Sequence, residues 1–462
     1  MRAVHSLISV LMSCFIWAAV SVAGDVPELF QDQSSLVPDT TVRGPFLSLD
    51  FPEIHIGVAE YSEGPTGATV FYFPKPVMAA VDVRGGAPGV INSEPLRLHY
   101  DAAYTNAICF AGGSSYGLAA ATGVADAIKE RTENPGHWNN IAFVPGAIIF
   151  DLGGRRFSTV TPDYKLGKAA LRSARPGRFP LGAQGAGRFA MQGWFLDDPQ
   201  HSGQGGAFRQ VGQTKIAVFT VVNPGGSVVD REGKVVRCSE PSGDGCGFIR
   251  DRLAARLGEK FPDGASRKEE SGLTSNTTIT LVVTNEKLSV GVLQRLAVQV
   301  HTSMGRAIQP FSGTSDGDTL YAVTTGQVKT EGLSANDLGV LAADVAWDAV
   351  LASVPQLPES GLHEPVVWSP QKLDAAVGEY RFSPWNSMRI EREGDGLVAH
   401  GPDTWNPYFS GEKTVTLIPV SDDELRLEGK HRFRIRLHAQ DTRVTGLTLE
   451  PGPWAIPAVR SE

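Results

Sequence analysis

The sequence predicts an α+β protein, in which a layered domain of helices and sheets precedes a small antiparallel β-barrel. Before residue 355, short β-branched segments alternate with amphipathic helical segments. Prolines and glycines between Pro355 and Pro365 then mark a linker, because both residue types interrupt regular structure. After it, apolar and polar residues alternate, as in Phe433–His438, with the period of two that is typical of strands.

The composition is that of an ordinary globular protein. The chain has 462 residues, 42% hydrophobic and 20% charged, with a formal net charge of −8, so it is long enough for two or three cores. Its mild acidity and the lack of a basic run argue against nucleic acid as a partner. The ten histidines show no ligand spacing, so we expect neither a metal nor another cofactor.

Residues 1–23 have the pattern of a secretory signal peptide. A positively charged start precedes an apolar run from Leu7 to Val20, and Ser21-Val22-Ala23 is a small-x-small cleavage site. A retained membrane anchor is the alternative, although the run is shorter than the roughly 20 residues that a span needs. We therefore expect an exported protein, periplasmic or secreted, that is free of the membrane once the signal is removed.

Two cysteines lie close together in the sequence. Cys238 and Cys246 are separated by seven residues, in a stretch rich in proline and glycine. In an exported protein this spacing predicts a local disulfide bond. A metal site is the alternative, although no histidine lies nearby. Cys109 lies in an apolar segment and is expected to be a buried strand thiol.

The elements of the first domain follow from periodicity and from turn residues. A polar stretch over 256–275 predicts an exposed loop. The other predicted elements are strands within 54–110, a helix over 118–130, strands within 142–151, a strand over 214–222, a strand over 279–284, a helix over 288–309, a strand over 319–324, and a helix that begins with the capping-box pattern Ser334-x-x-Asp337.

One candidate nucleophile lies in a glycine-rich turn. Gly113-Ser114-Ser115-Tyr116-Gly117 fits the G-x-S-x-G pattern, a strand-to-helix turn that presents a nucleophilic serine in many hydrolases. Ser115 would then act with a distant aspartate and histidine. The alternative is a glycine-rich turn that packs closely or lines a pocket.

A second candidate is Thr277, where the polar loop ends and a β-branched strand begins. In an intact chain it is an ordinary strand residue. Cleavage of the Asn276–Thr277 bond would give it a free α-amine with an ordinary pKa of about 7.7–8.0. That amine could serve as the general base for the hydroxyl of the same residue.

The chain from about 45 to 355 also carries several longer motifs in a characteristic order. The matching stretches are Val81–Gly89, Gly112–Leu118, Val144–Leu152, Val221–Asn223, Asn276–Ile279, Val283–Asn285 and Asp316–Thr319. They resemble the P1 family of aminopeptidases, which contains the L-aminopeptidase/D-esterases and the β-peptidyl aminopeptidases. The resemblance implies a four-layer α/β/β/α sandwich related to ornithine acetyltransferase. It also implies autoproteolysis before Thr277 into two associated chains, 24–276 and 277–462, and a homo-oligomer, often a tetramer.

The resemblance further implies roles for single residues. Thr277 becomes the nucleophile, where the best-known members have a serine. Asn223 matches an oxyanion-stabilising asparagine, and its alternative is a turn asparagine before Pro224. Ser315 and Asp318 match a serine and an acid near the nucleophile, with Asp316 as an alternative acid.

The same resemblance implies substrate contacts by Gly113, Ser114 and Trp194. Many members have a tyrosine in the stretch that matches Arg188–Trp194, where it helps to hold the substrate carbonyl. This chain has no tyrosine there. We therefore expect its oxyanion geometry or its substrate choice to differ.

The C-terminal segment, 366–462, lies outside the usual length of that family. Asp374–Phe382 and Val444–Leu449 resemble parts of the lipocalin-like domains appended to some exported serine hydrolases. Ligand binding and a packing or access-restricting role are both open for this segment. The predicted domains are thus the signal peptide 1–23, a self-processing domain 24–358 and a lipocalin-like barrel 366–462.

Together these inferences predict an exported N-terminal-threonine aminopeptidase. It would release N-terminal residues from small peptides, amino-acid amides or esters through an acyl-enzyme on Thr277. Two alternatives are a serine hydrolase that uses Ser115 and a non-catalytic relative that binds a ligand.

Overall fold

The structure is a computed structural model. It describes residues 33–98, 103–132, 136–137, 140–155, 157–239, 241, 245–260, 276–354, 364–383, 386–401, 414–428, 433–440, 443–450 and 452–461. The predicted signal peptide and residues 261–275 of the predicted loop lie outside these ranges, as do residues 355–363 of the linker. No helix in the described part of the chain combines the length and apolarity that a membrane span requires.

The first domain contains fifteen described strands and six helices. The strands are β1 (Phe46–Ser48), β2 (His55–Tyr61), β3 (Thr66–Val83), β4 (Val90–Ile91), β5 (Tyr104–Ala111), β6 (Gly146–Ile148), β7 (Arg178–Pro180), β8 (Met191–Gln192), β9 (Gln200–His201), β10 (Gln204–Val211), β11 (Thr214–Asn223), β12 (Ser227–Val228), β13 (Thr277–Glu286), β14 (Ile308–Gln309) and β15 (Thr319–Val328). The helices are α1 (Glu94–Leu98), α2 (Ala119–Lys129), α3 (Tyr164–Ser173), α4 (Ile249–Lys260), α5 (Val290–Ser303) and α6 (Ala335–Leu351).

The long strand β3 joins the two halves of the central sheet. The strand order is β10-β11-β13-β15-β3-β5-β6-β4, and β2 also pairs with β3. The first part of β3 pairs with β2 and β5, and its last residues pair with β15. Its register to β5 shifts between Tyr72 and Val77, around Pro74 and Pro76, which cannot donate a ladder hydrogen bond.

Three hydrophobic clusters separate four layers, because successive strand residues point to opposite faces. One cluster lies between the sheet halves and contains Phe71, Phe110, Phe219, Leu281 and Tyr321. A second packs α2 and α3 against the outer face of β2, β3 and β5. A third packs α5 and α6 against the outer face of β11, β13 and β15. The predicted α/β/β/α sandwich is confirmed.

The C-terminal part forms a closed antiparallel barrel of eight strands, which confirms the predicted β-barrel. Alternate residues fill its interior, among them Met388, Ile390, Leu425, Leu427 and Ile435. A short helix precedes the barrel. These elements are α7 (Pro370–Ala376), β16 (Gly378–Ser383), β17 (Asn386–Glu393), β18 (Gly396–His400), β19 (Thr414–Pro419), β20 (Glu424–Leu427), β21 (Arg434–Gln440), β22 (Arg443–Leu449) and β23 (Ile456–Arg460).

Some predicted bounds differ from those of the structure. Helix α4 extends to Lys260, so the start of the predicted loop at 256 is wrong, since the charged residues there are good helix formers. Helix α5 ends at Ser303, where a 3-10 turn begins, and Ile308 pairs with Val228 in a short strand. The capping box of α6 is confirmed, with reciprocal hydrogen bonds between Ser334 and Asp337.

Candidate active site

Strand register places Thr277 beside Asn223. In the antiparallel pair β11–β13, Asn223 is the direct cross-strand partner of Thr277. Both residues are at most 2% exposed. The parallel pairing of β13 with β15 brings the loop before β15 to the same end of the sheet. The site therefore forms where three neighbouring strands begin or end.

The Asn276–Thr277 peptide bond is held by the loop over 313–318. The Asn276 amide donates to the Ser315 carbonyl at 3.2 Å. The Asn276 carbonyl accepts from the Gly317 amide at 2.7 Å and from the Thr277 hydroxyl at 2.5 Å. The Gly317 amide can therefore stabilise negative charge developing on this oxygen, and the Thr277 hydroxyl contacts the same carbonyl.

Two carboxylates flank this peptide bond. Asp318 accepts from the Thr278 amide at 2.6 Å and from the Ser312 amide at 2.9 Å. Burial, and then the nearby charge of Asp316, raise the pKa of Asp318 to about 7. Asp316 accepts from the amides of Gly225 at 3.2 Å and Gly313 at 2.9 Å. A group that titrates near neutral pH beside a buried peptide bond is suited to proton transfer.

Ser315 contacts the site through its backbone carbonyl. It is partly buried, and the contact that the structure shows with Asn276 is made by its backbone carbonyl. Ser315, Asp316 and Asp318 all adjoin the Asn276–Thr277 bond.

Glycines allow the segment Val81–Gly89 to pack directly against the loop over 313–318. The Ala87 amide donates to the Asp316 carbonyl at 2.8 Å. A Cβ at Gly85 would lie 2.2 Å from the Asp316 carbonyl oxygen, and a Cβ at Gly86 would lie 2.3 Å from that of Thr314. Only residues without a side chain permit this close backbone approach.

The Asn223 side chain is oriented by two backbone groups. Its Oδ1 accepts from the Met191 amide at 2.9 Å, and its Nδ2 donates to the Phe150 carbonyl at 3.1 Å. These partners identify the amide oxygen and nitrogen, because a backbone N–H can only donate and a carbonyl can only accept. Nδ2 carries two protons, and the contact with Phe150 uses one of them.

The glycine-rich turn approaches the site through the segment that follows β6. The Gly113 amide donates to Asp151 at 2.8 Å, and the Ser114 amide donates to the Ile149 carbonyl at 3.0 Å. The intervening residue, Phe150, supplies the carbonyl that binds Asn223. The structure thus brings Gly113 and Ser114 close to Asn223 along one short segment.

Ser115 has no catalytic partner within the described ranges. Its side chain is exposed, and no histidine or carboxylate described in the structure hydrogen-bonds to its hydroxyl. Asp151 instead forms a buried ion pair with Arg155 at 3.0 Å and accepts from the Thr66 hydroxyl at 2.9 Å. These contacts stabilise the turn and favour its structural interpretation.

The stretch Arg188–Trp194, where many family members have a tyrosine, contains the buried side-chain amide of Gln192. Gln192 is 0% exposed, and its Oε1 accepts from the Val228 amide at 2.6 Å. Trp194 is partly buried against the hydrophobic cluster of the barrel.

Cys238 and Cys246 are joined by a disulfide with a Cα–Cα distance of 5.8 Å, as their spacing predicts.

Several functional groups of this site are backbone atoms that residue types do not reveal. The Gly317 amide, the Met191 amide and the Phe150 carbonyl each contact Asn276 or Asn223. The motifs Asp316–Thr319 and Val144–Leu152 include two of these residues, so the motifs mark the right segments. They do not show which atom makes the contact.

Comparisons with known proteins point to one family. The family model described as Peptidase family S58 matches residues 49–360. A 6-aminohexanoate-oligomer endohydrolase of Paenarthrobacter ureafaciens is 40% identical over 365 residues, which cover 75% of this chain and 98% of that protein. An uncharacterized aminopeptidase of Mycobacterium tuberculosis is 32% identical over 307 residues, covering 62% of this chain and 85% of that protein.

Two solved structures are similar at lower identity. A beta-aminopeptidase of Burkholderia sp. has a TM-score of 0.47 and 16% identity, covering 68% of this chain and 89% of that chain. An L-aminopeptidase D-Ala-esterase/amidase of Ochrobactrum anthropi has a TM-score of 0.46 and 15% identity, covering 68% of this chain and 88% of that chain.

Proposed function

The chain belongs to peptidase family S58, and from this premise we propose that it is a self-processing amide hydrolase with Thr277 as its nucleophile. The observation that carries the proposal is the Asn276 carbonyl, which accepts from both the Thr277 hydroxyl and the Gly317 amide. The hydroxyl oxygen lies next to the carbonyl carbon that it would attack. The Gly317 amide is already placed to stabilise the resulting oxyanion.

Processing would proceed as an N-to-O acyl shift followed by hydrolysis. The Thr277 Oγ forms a bond to the Asn276 carbonyl carbon, and a nearby base takes the hydroxyl proton. The C–N bond then breaks, and the Thr277 nitrogen gains a proton. Water hydrolyses the ester, which leaves a carboxylate on Asn276 and a free amine on Thr277. Asp318 is the candidate base, since its carboxylate binds the amide of Thr278, the residue next to Thr277, and its pKa of about 7 suits proton exchange near neutral pH.

The processed enzyme would repeat the same chemistry on an external amide. The Thr277 Oγ attacks the substrate carbonyl, and the α-amine of Thr277 takes the proton. The second Nδ2 proton of Asn223 stabilises the oxyanion. The amine passes the proton to the leaving nitrogen as the C–N bond breaks. Water then hydrolyses the ester and restores the hydroxyl.

Two substrate classes follow from the relatives. Release of N-terminal residues from small peptides, amino-acid amides or esters fits the aminopeptidases among them. Internal cleavage of linear oligoamides of an ω-amino acid fits the relative that is 40% identical over nearly its whole length. The identity and coverage of that relative favour the second class. Both classes use the same acyl-enzyme on Thr277.

The intact mass of the purified protein tests the processing step. We expect two chains, one of which begins at Thr277, while a Thr277→Ala variant stays uncleaved. N-terminal sequencing identifies the new terminus. A wild-type protein that remains one chain and hydrolyses no amide would overturn the proposal. Loss of activity in Ser115→Ala with normal processing would instead support the serine hydrolase.

Two oligomers of 6-aminohexanoate separate the substrate classes. One has a free amine and the other an acetylated N-terminus. An endo-acting enzyme cleaves both at internal bonds, whereas an aminopeptidase cleaves only the free form and releases single residues. Mass spectrometry of the products at early times distinguishes the two outcomes. An L-amino-acid anilide and a β-amino-acid anilide serve as reference substrates for aminopeptidase activity.

Export is part of the same proposal. A disulfide between Cys238 and Cys246 is typical of proteins that fold in an oxidising compartment. We expect the protein in the periplasm or the medium, with Gly24 as its N-terminus. Cell fractionation with N-terminal sequencing tests this expectation. The tetramer implied by the family resemblance is tested by the mass of the purified assembly in solution.

A further inference from the structure

The C-terminal barrel contacts the hairpin that holds Asn223. The hairpin consists of β8 and β9, in which Met191 is the direct cross-strand partner of His201. The Met191 amide binds the Asn223 side chain. The His201 side chain reaches the barrel. One hairpin thus touches the active-site asparagine on one side and the barrel on the other.

Barrel residues and Phe189 of the first domain contact the His201 ring. Glu450 Oε2 lies 3.0 Å from His201 Nε2, and both residues are buried. The ring of Trp454 stacks on the imidazole with a centroid distance of 3.8 Å and an interplanar angle of 7°. The Phe189 ring packs edge-on against the same imidazole at 5.1 Å. Buried polar and stacked contacts of this kind hold a side chain in one orientation.

Glu450 adopts a backbone conformation that carries a cost. Its φ is 54°, in the left-handed region that residues other than glycine rarely occupy. Its amide donates to the Arg434 carbonyl at 2.8 Å, which holds it in the barrel wall. Such a conformation persists only where surrounding contacts over-determine it, and it is frequent at functional positions. Here it directs the carboxylate to His201.

Further contacts join the barrel to the same region of the first domain. The Arg188 side chain donates to the Pro453 carbonyl at 2.7 Å. The rings of Phe157 and Phe382 lie 4.2 Å apart. The Met191 side chain belongs to the hydrophobic cluster of the barrel. The interface is therefore continuous with the barrel core, although the barrel lies outside the residues that the family model matches.

We propose that the barrel is a positioning element of the active site. Glu450 and Trp454 fix His201, and through the β8–β9 hairpin they hold the Met191 amide against Asn223. The Asn223 amide then keeps the orientation in which Nδ2 faces a developing oxyanion. This inference rests on the proposed function, because it assigns Asn223 a role in the reaction. Glu450, Trp454 and His201 are positioning residues that act through Asn223.

Kinetics of interface variants test the proposal. We expect Trp454→Ala and Glu450→Ala to lower kcat for amide hydrolysis about 10-fold while KM stays within about twofold, because misplacement of an oxyanion donor affects mainly the transition state. The conservative variants Trp454→Phe and Glu450→Gln should recover most of kcat. Trp368→Ala is the matched control, since this buried tryptophan lies just before α7 and donates to the Ser421 carbonyl in the turn between β19 and β20. It should leave kcat unchanged at temperatures where the protein stays folded.

A double-mutant cycle separates positioning from general stability. In an Asn223→Ala background, Trp454→Ala should cause no further loss of kcat, because the group that it positions is already absent. Additive losses, or equal losses in Trp368→Ala, would overturn the inference. A wild-type enzyme without hydrolytic activity would instead overturn the proposed function.

Hydrogen exchange provides a readout that does not need catalysis. In an uncleaved Thr277→Ala protein, Trp454→Ala should speed amide exchange in residues 189–203 and leave α5 unchanged. Unchanged exchange in residues 189–203 would show that the barrel does not hold the hairpin.

Discussion

At the scale of single residues, Gly317 contacts the Asn276 carbonyl through its backbone and not through a side chain. Its amide donates to the Asn276 carbonyl at 2.7 Å, and a Cβ at this position would lie 2.6 Å from the Thr277 hydroxyl. The same Cβ would lie 2.7 Å from the Ala87 carbonyl oxygen. Glycine is therefore required here by space, since the Thr277 hydroxyl, the Asn276 carbonyl and the segment between β3 and β4 all lie close to it.

Gly317→Ala should block processing more strongly than it affects folding. The added methyl group displaces the Thr277 hydroxyl or the Gly317 amide, and loss of one oxyanion donor typically slows a reaction about 100-fold or more. The fraction of cleaved chain over time, measured by intact mass, checks this. Gly291→Ala is the control, because that glycine is exposed and has open space around its Cβ. Cleavage at the wild-type rate in Gly317→Ala would contradict the role of this amide.

At the level of secondary-structure elements, the β8–β9 hairpin is also held by contacts with the disulfide loop and α4. Asp198, in the hairpin loop, accepts from the Ser239 amide at 3.1 Å and from Arg252 at 2.5 Å. Ser239 follows Cys238, and Arg252 also donates to the Cys246 carbonyl at 3.3 Å. The disulfide loop and α4 are therefore tied to the segment that leads back to Asn223.

Removal of the disulfide should destabilise this element. For the double variant Cys238→Ser/Cys246→Ser we expect a loss of about 2–3 kcal/mol in unfolding free energy, from the closure entropy of a short loop. Denaturant titration of uncleaved Thr277→Ala protein, with and without the cysteine substitutions, measures the difference. A reductant should reproduce the loss in the parent and have no effect on the double variant. Equal unfolding midpoints in all four samples would show that the bond contributes nothing.

At the scale of the whole molecule, the sandwich buries a titrating carboxylate in its interior. Asp318 is 0% exposed, and its pKa in the folded protein lies near 7, well above the ordinary value of 3.8. The folded state therefore binds more protons than the unfolded state between about pH 4 and pH 7. As pH rises through this window, the ionisation of Asp318 therefore lowers the unfolding free energy. Above about pH 7 Asp318 has no further effect on the pH dependence of that energy.

The pH dependence of the unfolding free energy tests whether Asp318 lowers stability as pH rises. From pH 5 to pH 8, the unfolding free energy of uncleaved Thr277→Ala protein should include a fall, on the order of a few kcal/mol, that Asp318→Asn removes. The comparison uses the difference between the two pH values in each protein, since the substitution also changes absolute stability. Asp374→Asn, at an exposed ion pair with Arg392, is the control and should leave the difference unchanged. Identical pH dependence with and without Asp318 would contradict the raised pKa.

Much of the architecture and the location of the site could be predicted from local patterns. The β-branched run Ile279–Thr284 and the capping box of Ser334 are both local patterns, and the strand and the helix start that they predict both appear in the structure. The motifs around Asn223, Thr277 and Asp318 also marked segments that the fold brings together. The nucleophilic role of Thr277 stays a prediction that processing experiments decide.

Local patterns were enough to predict the layered α+β fold, the barrel and the segments that form the site, because periodicity, turn residues and motifs are read from neighbouring residues. The atoms that contact Asn276 and Asn223 became known from the folded structure alone. Those contacts include backbone amides, which every residue type except proline can supply. They also include the pair of His201 and Glu450, which are 249 positions apart in the chain. No local pattern encodes such a pair, since its formation depends on how the barrel packs against the sandwich.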